Sequence, residues 1–252
     1  MAPVQSGAVE PLRRPPITFA HRGGRAHAPD NTIEAFRRAL HLGAAGVETD
    51  AWVTADGAVV LDHDGLVRKG FRRRPVPELR REDLPAHVPT LEDLYDACGT
   101  VRPFGQGAGF ELSVDVPDGT TATAVVEVAR AVSPGAPKHL WLCHPHWRRL
   151  AQWRERFPDV RLVNSTRLRE MREGPERRAA ELARAGVDAV NLHYTEWTGG
   201  LTTLFHRFDR LAFGWDAQHE RVLRELVRMG IDGVYGDHVD RMVSVFGTPP
   251  EG

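Results

Sequence analysis

The chain has 252 residues, 41% hydrophobic and 27% charged, with a formal net charge of −1 and a pI near 6.9. That suits one globular core of the size of an eight-stranded α/β barrel, with no net field to draw nucleic acid or an anionic membrane. No apolar run approaches the ~20 residues of a membrane span, and Cys98 and Cys143 show neither disulfide nor zinc spacing, which suits a reducing, cytoplasmic setting.

In chain order, residues 1–16 are rich in Pro and small residues and lack a signal-peptide apolar region. They read as a flexible N-terminal arm ahead of a single domain over residues 17–247. Ile17–Ala20 is the first strand, and Asn31 or Asp30 caps a helix carrying Ile33, Phe36, Ala39 and Leu40 on one face. Val47–Val53 is the second strand. The link to the apolar run Ala58–Leu61 is too short for a parallel crossover, so that run is expected to be a β-extension folding back over the second strand. Residues 64–88, polar, Arg-rich and broken by Pro, read as a lid.

Thr90 caps a helix, and Gly109–Val114 is the third strand, followed by a helix over Thr121–Val132. From there strands and helices alternate: His139–Leu142, Trp147–Phe157, Val160–Val163, Pro175–Ala185, Val187–Asn191, Leu201–His206, Arg210–Trp215, Gln218–Met229 and Asp232–Tyr235. Without the β-extension this makes eight strands, which predicts a (β/α)8 TIM barrel with its site at the C-terminal ends of the strands. A doubly wound sheet is the other arrangement, but no G-x-G-x-x-G follows a strand.

Chemistry-bearing residues fall at those strand ends. Glu48 and Asp50 share one face of the second strand and can hold a hard cation such as Mg²⁺ or Ca²⁺. Such a strand in a buried parallel sheet is costly without a partner for its carboxylates. Glu111 repeats the pattern on the third strand as a third oxygen ligand. His21, after the first strand, and His63, ending the extension, form an acid–base pair. Arg22 is placed for a phosphate, and Gly23-Gly24 allow close approach to the backbone. His144 and His146 border the mouth as weaker candidates.

His21-Arg22-Gly23, Pro29-Asp30-Asn31-Thr32, Glu48-Thr49-Asp50 and His63-Asp64 resemble the HRG, PENT, E-x-D and HD segments of the glycerophosphodiester phosphodiesterase family. Pro89-Thr90-Leu91-Glu92 is similar to its PTLEE segment. Glu111 falls on its E-L-K segment, Trp215 on the tryptophan of W-T-V-N, and Asp232–Asp237 on the terminal D-G-I-I-T-D. The resemblance spans residues 17–240. It implies a TIM barrel, a divalent metal, a small-molecule phosphodiester substrate touched by Arg22 and Trp215, and hydrolysis to glycerol 3-phosphate and an alcohol.

Departures from the family are Asp30 for Glu, Ser113 for the Lys of E-L-K, Asp216-Ala217-Gln218 for T-V-N, and Cys143-His144-Pro145 for a Ser-Phe pair. Ser113 leaves the phosphate short of one cation, for which Arg68 or Lys69 of the lid is a substitute. Two further functions therefore stand beside hydrolysis of glycerophosphodiesters. One is a phospholipase D-like or cyclising enzyme on lysolipids, the other a catalytically weak phosphodiester-binding homologue.

Overall fold

Strands covered by helices on one side and a barrel interior on the other need apolar residues on both faces, and the short Val/Leu/Ala/Phe runs of this chain supply them. A computed structural model describes residues 8–69, 72–101 and 109–247. In chain order its strands are β1 (Ile17–Ala20), β2 (Gly46–Val53), β3 (Val59–Leu61), β4 (Leu66–Lys69), β5 (Arg72–Pro75), β6 (Glu111–Asp115), β7 (Leu140–His144), β8 (Arg161–Ser165), β9 (Ala189–His193), β10 (Leu211–Trp215) and β11 (Gly233–Gly236). The helices are α1 (Ile33–His41), α2 (Leu91–Gly99), α3 (Gly119–Val132), α4 (Trp147–Arg156), α5 (Pro175–Arg184), α6 (Gly199–Arg207), α7 (Glu220–Arg228) and α8 (Val239–Phe246).

Strands β1, β2 and β6 to β11 pair in parallel, and β11 returns to β1, so the sheet closes into a (β/α)8 barrel. Closure removes the sheet edges. As expected, β3 stands outside it, antiparallel to the upper half of β2 with Ala51 opposite Leu61. The lid contains the separate hairpin β4–β5.

Two apolar layers hold the barrel. Phe36, Leu40, Leu94, Val125, Leu150, Leu182, Phe205 and Leu223 fill the space around the barrel wall. Ile17, Phe19, Trp141, Val163, Phe213 and Tyr235 fill the barrel itself. Phe19 stacks on Tyr235 with ring centroids 4.7 Å apart, and Phe213 meets Trp141 edge-on at 5.2 Å. These rings plug the lower barrel, and the open space lies above them.

Three local readings change. Thr32, not Asn31 or Asp30, caps α1, its hydroxyl accepting from Ala35 N at 3.2 Å. Asn31 is buried in the left-handed region at φ 53, and its side-chain oxygen accepts from Thr49 Oγ1 at 2.9 Å. Strand β6 runs to Asp115, beyond the expected end at Val114. Residues 8–16, expected to be loose, cross the base of the barrel. There Val9 N donates to Arg228 O at 3.1 Å, and Arg13 N donates to Asp232 Oδ1 at 2.9 Å.

Candidate active site

Parallel register decides which side chains meet at the mouth. β2 and β6 pair with Gly46 opposite Glu111, Glu48 opposite Ser113 and Asp50 opposite Asp115. Glu111, Ser113 and Asp115 share one face of β6 at three depths. Four residues of strand separate the first from the last, roughly 13 Å. Only Asp115 reaches the mouth. Glu48, Asp50 and Asp115 each bring a carboxylate oxygen within 4.8 Å of the others.

These carboxylates are crowded and poorly solvated. Burial raises the Glu48 carboxyl well above its ordinary value, and the charges of Asp50 and Asp115 push it the same way. Burial and Asp115 raise Asp50 to about 8, against a smaller opposing pull from Arg22. Asp115 is raised, chiefly by burial. One Glu48 oxygen accepts from the backbone N–H of Arg22 at 2.9 Å, whereas the buried Asp50 Oδ2 has no hydrogen-bond donor. An all-oxygen cluster that repels itself and keeps an unsatisfied buried oxygen fits a hard divalent cation.

Glu111, expected as the third ligand, is not part of this cluster. It lies at the base, where Arg13 Nη2 donates to Oε1 at 2.8 Å and Trp141 Nε1 donates to Oε2 at 2.7 Å, with His139 Nδ1 3.5 Å from Oε1. Burial alone would raise its carboxyl, but the hydrogen bonds from His139 and Trp141 and the Arg13 charge hold it below the ordinary value. It is a satisfied anion that ties the N-terminal arm to the barrel. Asp115, not Glu111, is the β6 carboxylate that stands with Glu48 and Asp50.

Ser113 changes meaning as well. It is fully buried beneath the mouth, with Oγ 3.2 Å from Cys143 Sγ and 3.1 Å from the Tyr235 hydroxyl. It belongs to the cavity floor and cannot present a cation-sized side chain to a ligand. Counted from Asp115, the residue two positions on is Pro117, so the missing cation is absent there too.

The two histidines are built alike. His21 Nδ1 lies 2.8 Å from Asp237 Oδ1, and its Nε2 lies 4.0 Å from Glu48 Oε2. His63 Nδ1 lies 2.7 Å from Asp64 Oδ1 at the exposed rim, and its charge acts on Asp115. With the carboxylates ionised, each Nδ1–H donates to its aspartate and Nε2 is the free face of the ring. Asp237 was not among the residues singled out from the sequence. Burial would raise it, but the hydrogen bond and charge of His21 hold it below its ordinary value. Gln218 fixes it further, Nε2 donating to Asp237 Oδ2 at 3.1 Å and Oε1 accepting from Asp237 N at 3.0 Å.

Arg22 sits in the left-handed region at φ 48, between His21 and Gly23. Gly23 has φ 84, and a Cβ there would lie 2.7 Å from Ala35 Cβ, so this turn requires glycine. The turn aims the Arg22 backbone N–H at Glu48 and its guanidinium between Asp30 and Asp50, 3.4 and 3.7 Å away. Trp215 forms the far wall, with Arg167 stacked 4.3 Å over its ring and His193 edge-on at 4.6 Å. His21, Glu48, Asp115, Cys143, Ser165, Asn191, Trp215 and Tyr235 line a cavity of about 230 Å³. Burial and nearby Arg149 and His146 lower His144 to about 4, and its Nδ1 accepts the backbone N–H of His146.

A closed barrel with polar, titratable side chains gathered at the C-terminal strand ends has the form of a TIM-barrel enzyme. Residues 21–241 match the model of the glycerophosphoryl diester phosphodiesterase family. The chain belongs to that family. It is 22% identical to a glycerophosphodiester phosphodiesterase of Bacillus altitudinis over 90% of this chain and 96% of that one. It is 49% identical to one from Caldanaerobacter subterraneus subsp. tengcongensis over 98 residues, a match that spans 33% of this chain and 40% of the relative. Among solved structures, it resembles a putative glycerophosphoryl diester phosphodiesterase of Silicibacter pomeroyi, with TM-score 0.80, 20% identity and 95% of each chain covered. It also resembles an Oleispira antarctica phosphodiesterase solved with the product sn-glycerol-3-phosphate, with TM-score 0.77, 17% identity and 92% and 97% covered.

The two acidic positions of β6 separate by experiment. Asp115→Asn should weaken Mg²⁺ or Ca²⁺ binding by calorimetry while leaving stability equal or higher, because it relieves repulsion. Glu111→Ala should leave cation affinity intact and cost ~2–4 kcal/mol in denaturant melts, by stripping Arg13 and Trp141 of their acceptor. The reverse pattern would return Glu111 to the cation site.

The raised carboxyls also set a pH dependence. A group raised from 3.8 to about 8 on folding stabilises fully below pH ~4, and that contribution is lost as pH rises to ~8. Cation-free protein should therefore lose melting temperature across this window. The gain on adding Mg²⁺ or Ca²⁺ should be larger at pH 8 than at pH 5, since the cation needs the ionised carboxylates. A gain that shrinks with pH would contradict it.

Proposed function

We propose that the chain hydrolyses glycerophosphodiesters to glycerol 3-phosphate and an alcohol, with a divalent cation held by Glu48, Asp50 and Asp115. The observation that carries this reading is the pair of His–Asp couples, His21–Asp237 and His63–Asp64, bordering one carboxylate cluster at the barrel mouth. The membership of the family and the product named for the Oleispira neighbour support the substrate class.

The cation, when bound, supplies positive charge against which a phosphodiester oxygen is polarised. The protein does the rest. Arg22, held by the Gly23 turn, offers its guanidinium to a phosphate oxygen. Trp215, braced by Arg167 and His193, gives the glycerol carbons an apolar wall. His21, the more buried of the couples, takes the proton from the attacking oxygen, and Asp237 steadies the imidazolium that forms. His63, at the exposed rim where a leaving alcohol reaches solvent, donates a proton to the leaving oxygen. The proton count balances, since one histidine gains a proton and the other loses one.

Turnover of glycerophosphocholine with added Mg²⁺ or Ca²⁺, abolished by chelation, is the direct test. Absence of turnover on any glycerophosphodiester by cation-loaded protein would leave only a binding role. His21→Ala and His63→Ala should each lower kcat by at least ~10²-fold. The two differ with a p-nitrophenyl leaving group, which needs no proton: the His63→Ala defect should shrink while that of His21→Ala persists. Equal defects on both substrates would remove the division of labour.

A further inference from the structure

The chain is nearly neutral, but its charge is not evenly spread. Residues 66–81 hold Arg68, Lys69, Arg72, Arg73, Arg74, Arg80 and Arg81 against the single acid Glu78, so this stretch carries +6 and the rest of the chain −7. Its first half is the hairpin β4–β5, a two-stranded sheet of a kind marginal on its own. One side chain anchors it: Val67 packs into a small core with Val60, Val76, Leu79, Leu84 and Val88. Strand alternation places Leu66, Arg68, Arg73 and Pro75 on the opposite face.

The hairpin opposes like charges. In the ladder Arg68 stands opposite Arg73 and Lys69 opposite Arg72. The ion pairs to Arg73 and Arg74 are long, 3.9 Å to Asp64 and 3.4 Å to Glu78, and involve exposed side chains. Leu66, 42% exposed, is an aliphatic side chain standing among the arginines. The charges do not converge on a point; they extend over roughly 10 Å of hairpin. The root of the hairpin is the His63-Asp64-Gly65 turn, where Gly65 lies against the Trp52 ring, so the patch rises directly from the rim of the site.

We infer that the β4–β5 hairpin is a docking surface for an anionic phospholipid bilayer, which brings the barrel mouth to the headgroup layer. Arg68 and Arg73, on the same hairpin face as the exposed Leu66, match a plane of lipid phosphates better than they match a single small anion. Arginine spans phosphate oxygens bidentately, and its stem lies along apolar surface while the head stays wet. The neutral total explains why this surface is invisible in the net charge. Attraction to an anionic leaflet acts within a Debye length and depends on the local patch. The inference rests on the phosphodiesterase reading only for the purpose of docking. Vesicle binding needs no turnover, so the two fail separately.

Cosedimentation with phosphatidylcholine vesicles, with and without added phosphatidylglycerol, tests it on the full chain. Binding should appear only with the anionic lipid and disappear at high salt. Arg73→Glu should weaken it at least ~5-fold, since each cation near an anionic leaflet contributes about a fivefold factor. Turnover of dissolved glycerophosphocholine should stay within about twofold of the parent. Should the reversal destabilise the hairpin, the neutral variant Arg73→Gln should still weaken binding, by a smaller factor. Equal binding to neutral vesicles, no binding at low salt, or anionic binding unaltered in both variants would overturn the inference. So would displacement by inorganic phosphate, which makes the occupant a small anion, or equally tight binding of duplex DNA.

Discussion

Three carboxylates held within 4.8 Å of one another in a buried mouth are the constraint around which this barrel is arranged. Left to themselves they would separate or stay protonated, as their raised values record. They stay together because the β2–β6 register places Asp50 beside Asp115, and the aromatic plug beneath gives neither strand room to shift. Arg22 brings a guanidinium beside them, and the Gly23 turn is what lets it reach them.

The same strand shows the opposite solution one end away. Glu111 is also a buried carboxylate on the inner face of β6, yet each of its oxygens has a donor, and it is held in its ionised form. Burial alone does not mark an acidic residue as a ligand. What separates Asp50 and Asp115 from Glu111 is whether the fold supplies the compensating charge. At the base it does, through the arm residue Arg13; at the mouth it leaves a deficit for something else to fill.

Much of the fold was legible because the strand runs and helix faces repeat in order. The closed barrel, the β-extension and seven of the helices lie close to where the pattern puts them. The site was legible where local motifs carry it: His21, Arg22, Glu48, Asp50 and His63 fall on turns and strand ends that short spacing identifies. It failed where depth along a strand decides. Glu111, Ser113 and Asp115 have the same parity, so alternation cannot choose between them; only the pairing partner on β2 can. The available signal was Asp115 standing last on its strand, before Val116-Pro117-Asp118-Gly119. Asp237 was missed for another reason. It closes the segment that resembles D-G-I-I-T-D, but its contact with His21 spans 216 positions of sequence, and the local pattern does not report that pairing.

Charge order follows from this arrangement. Beside the carboxylate cluster, Asp64 and Asp237 add further negative charge, and Arg22 is already shared between Asp30 and Asp50. A phosphodiester is itself an anion and is repelled by such a mouth. Protonation at low pH removes the repulsion but also removes the carboxylate donors a cation needs. Above pH ~8, where Asp50 is ionised, the mouth therefore favours a cation first and an anionic ester second. The proline at position 117 strengthens that order, because no lysine from β6 can recruit the phosphate independently. Trp215 and the Ser113–Tyr235 floor contribute shape but no charge. On the proposed function, productive binding of a phosphodiester would follow neutralisation of the site, and affinity for the ester should be linked to affinity for the cation rather than independent of it.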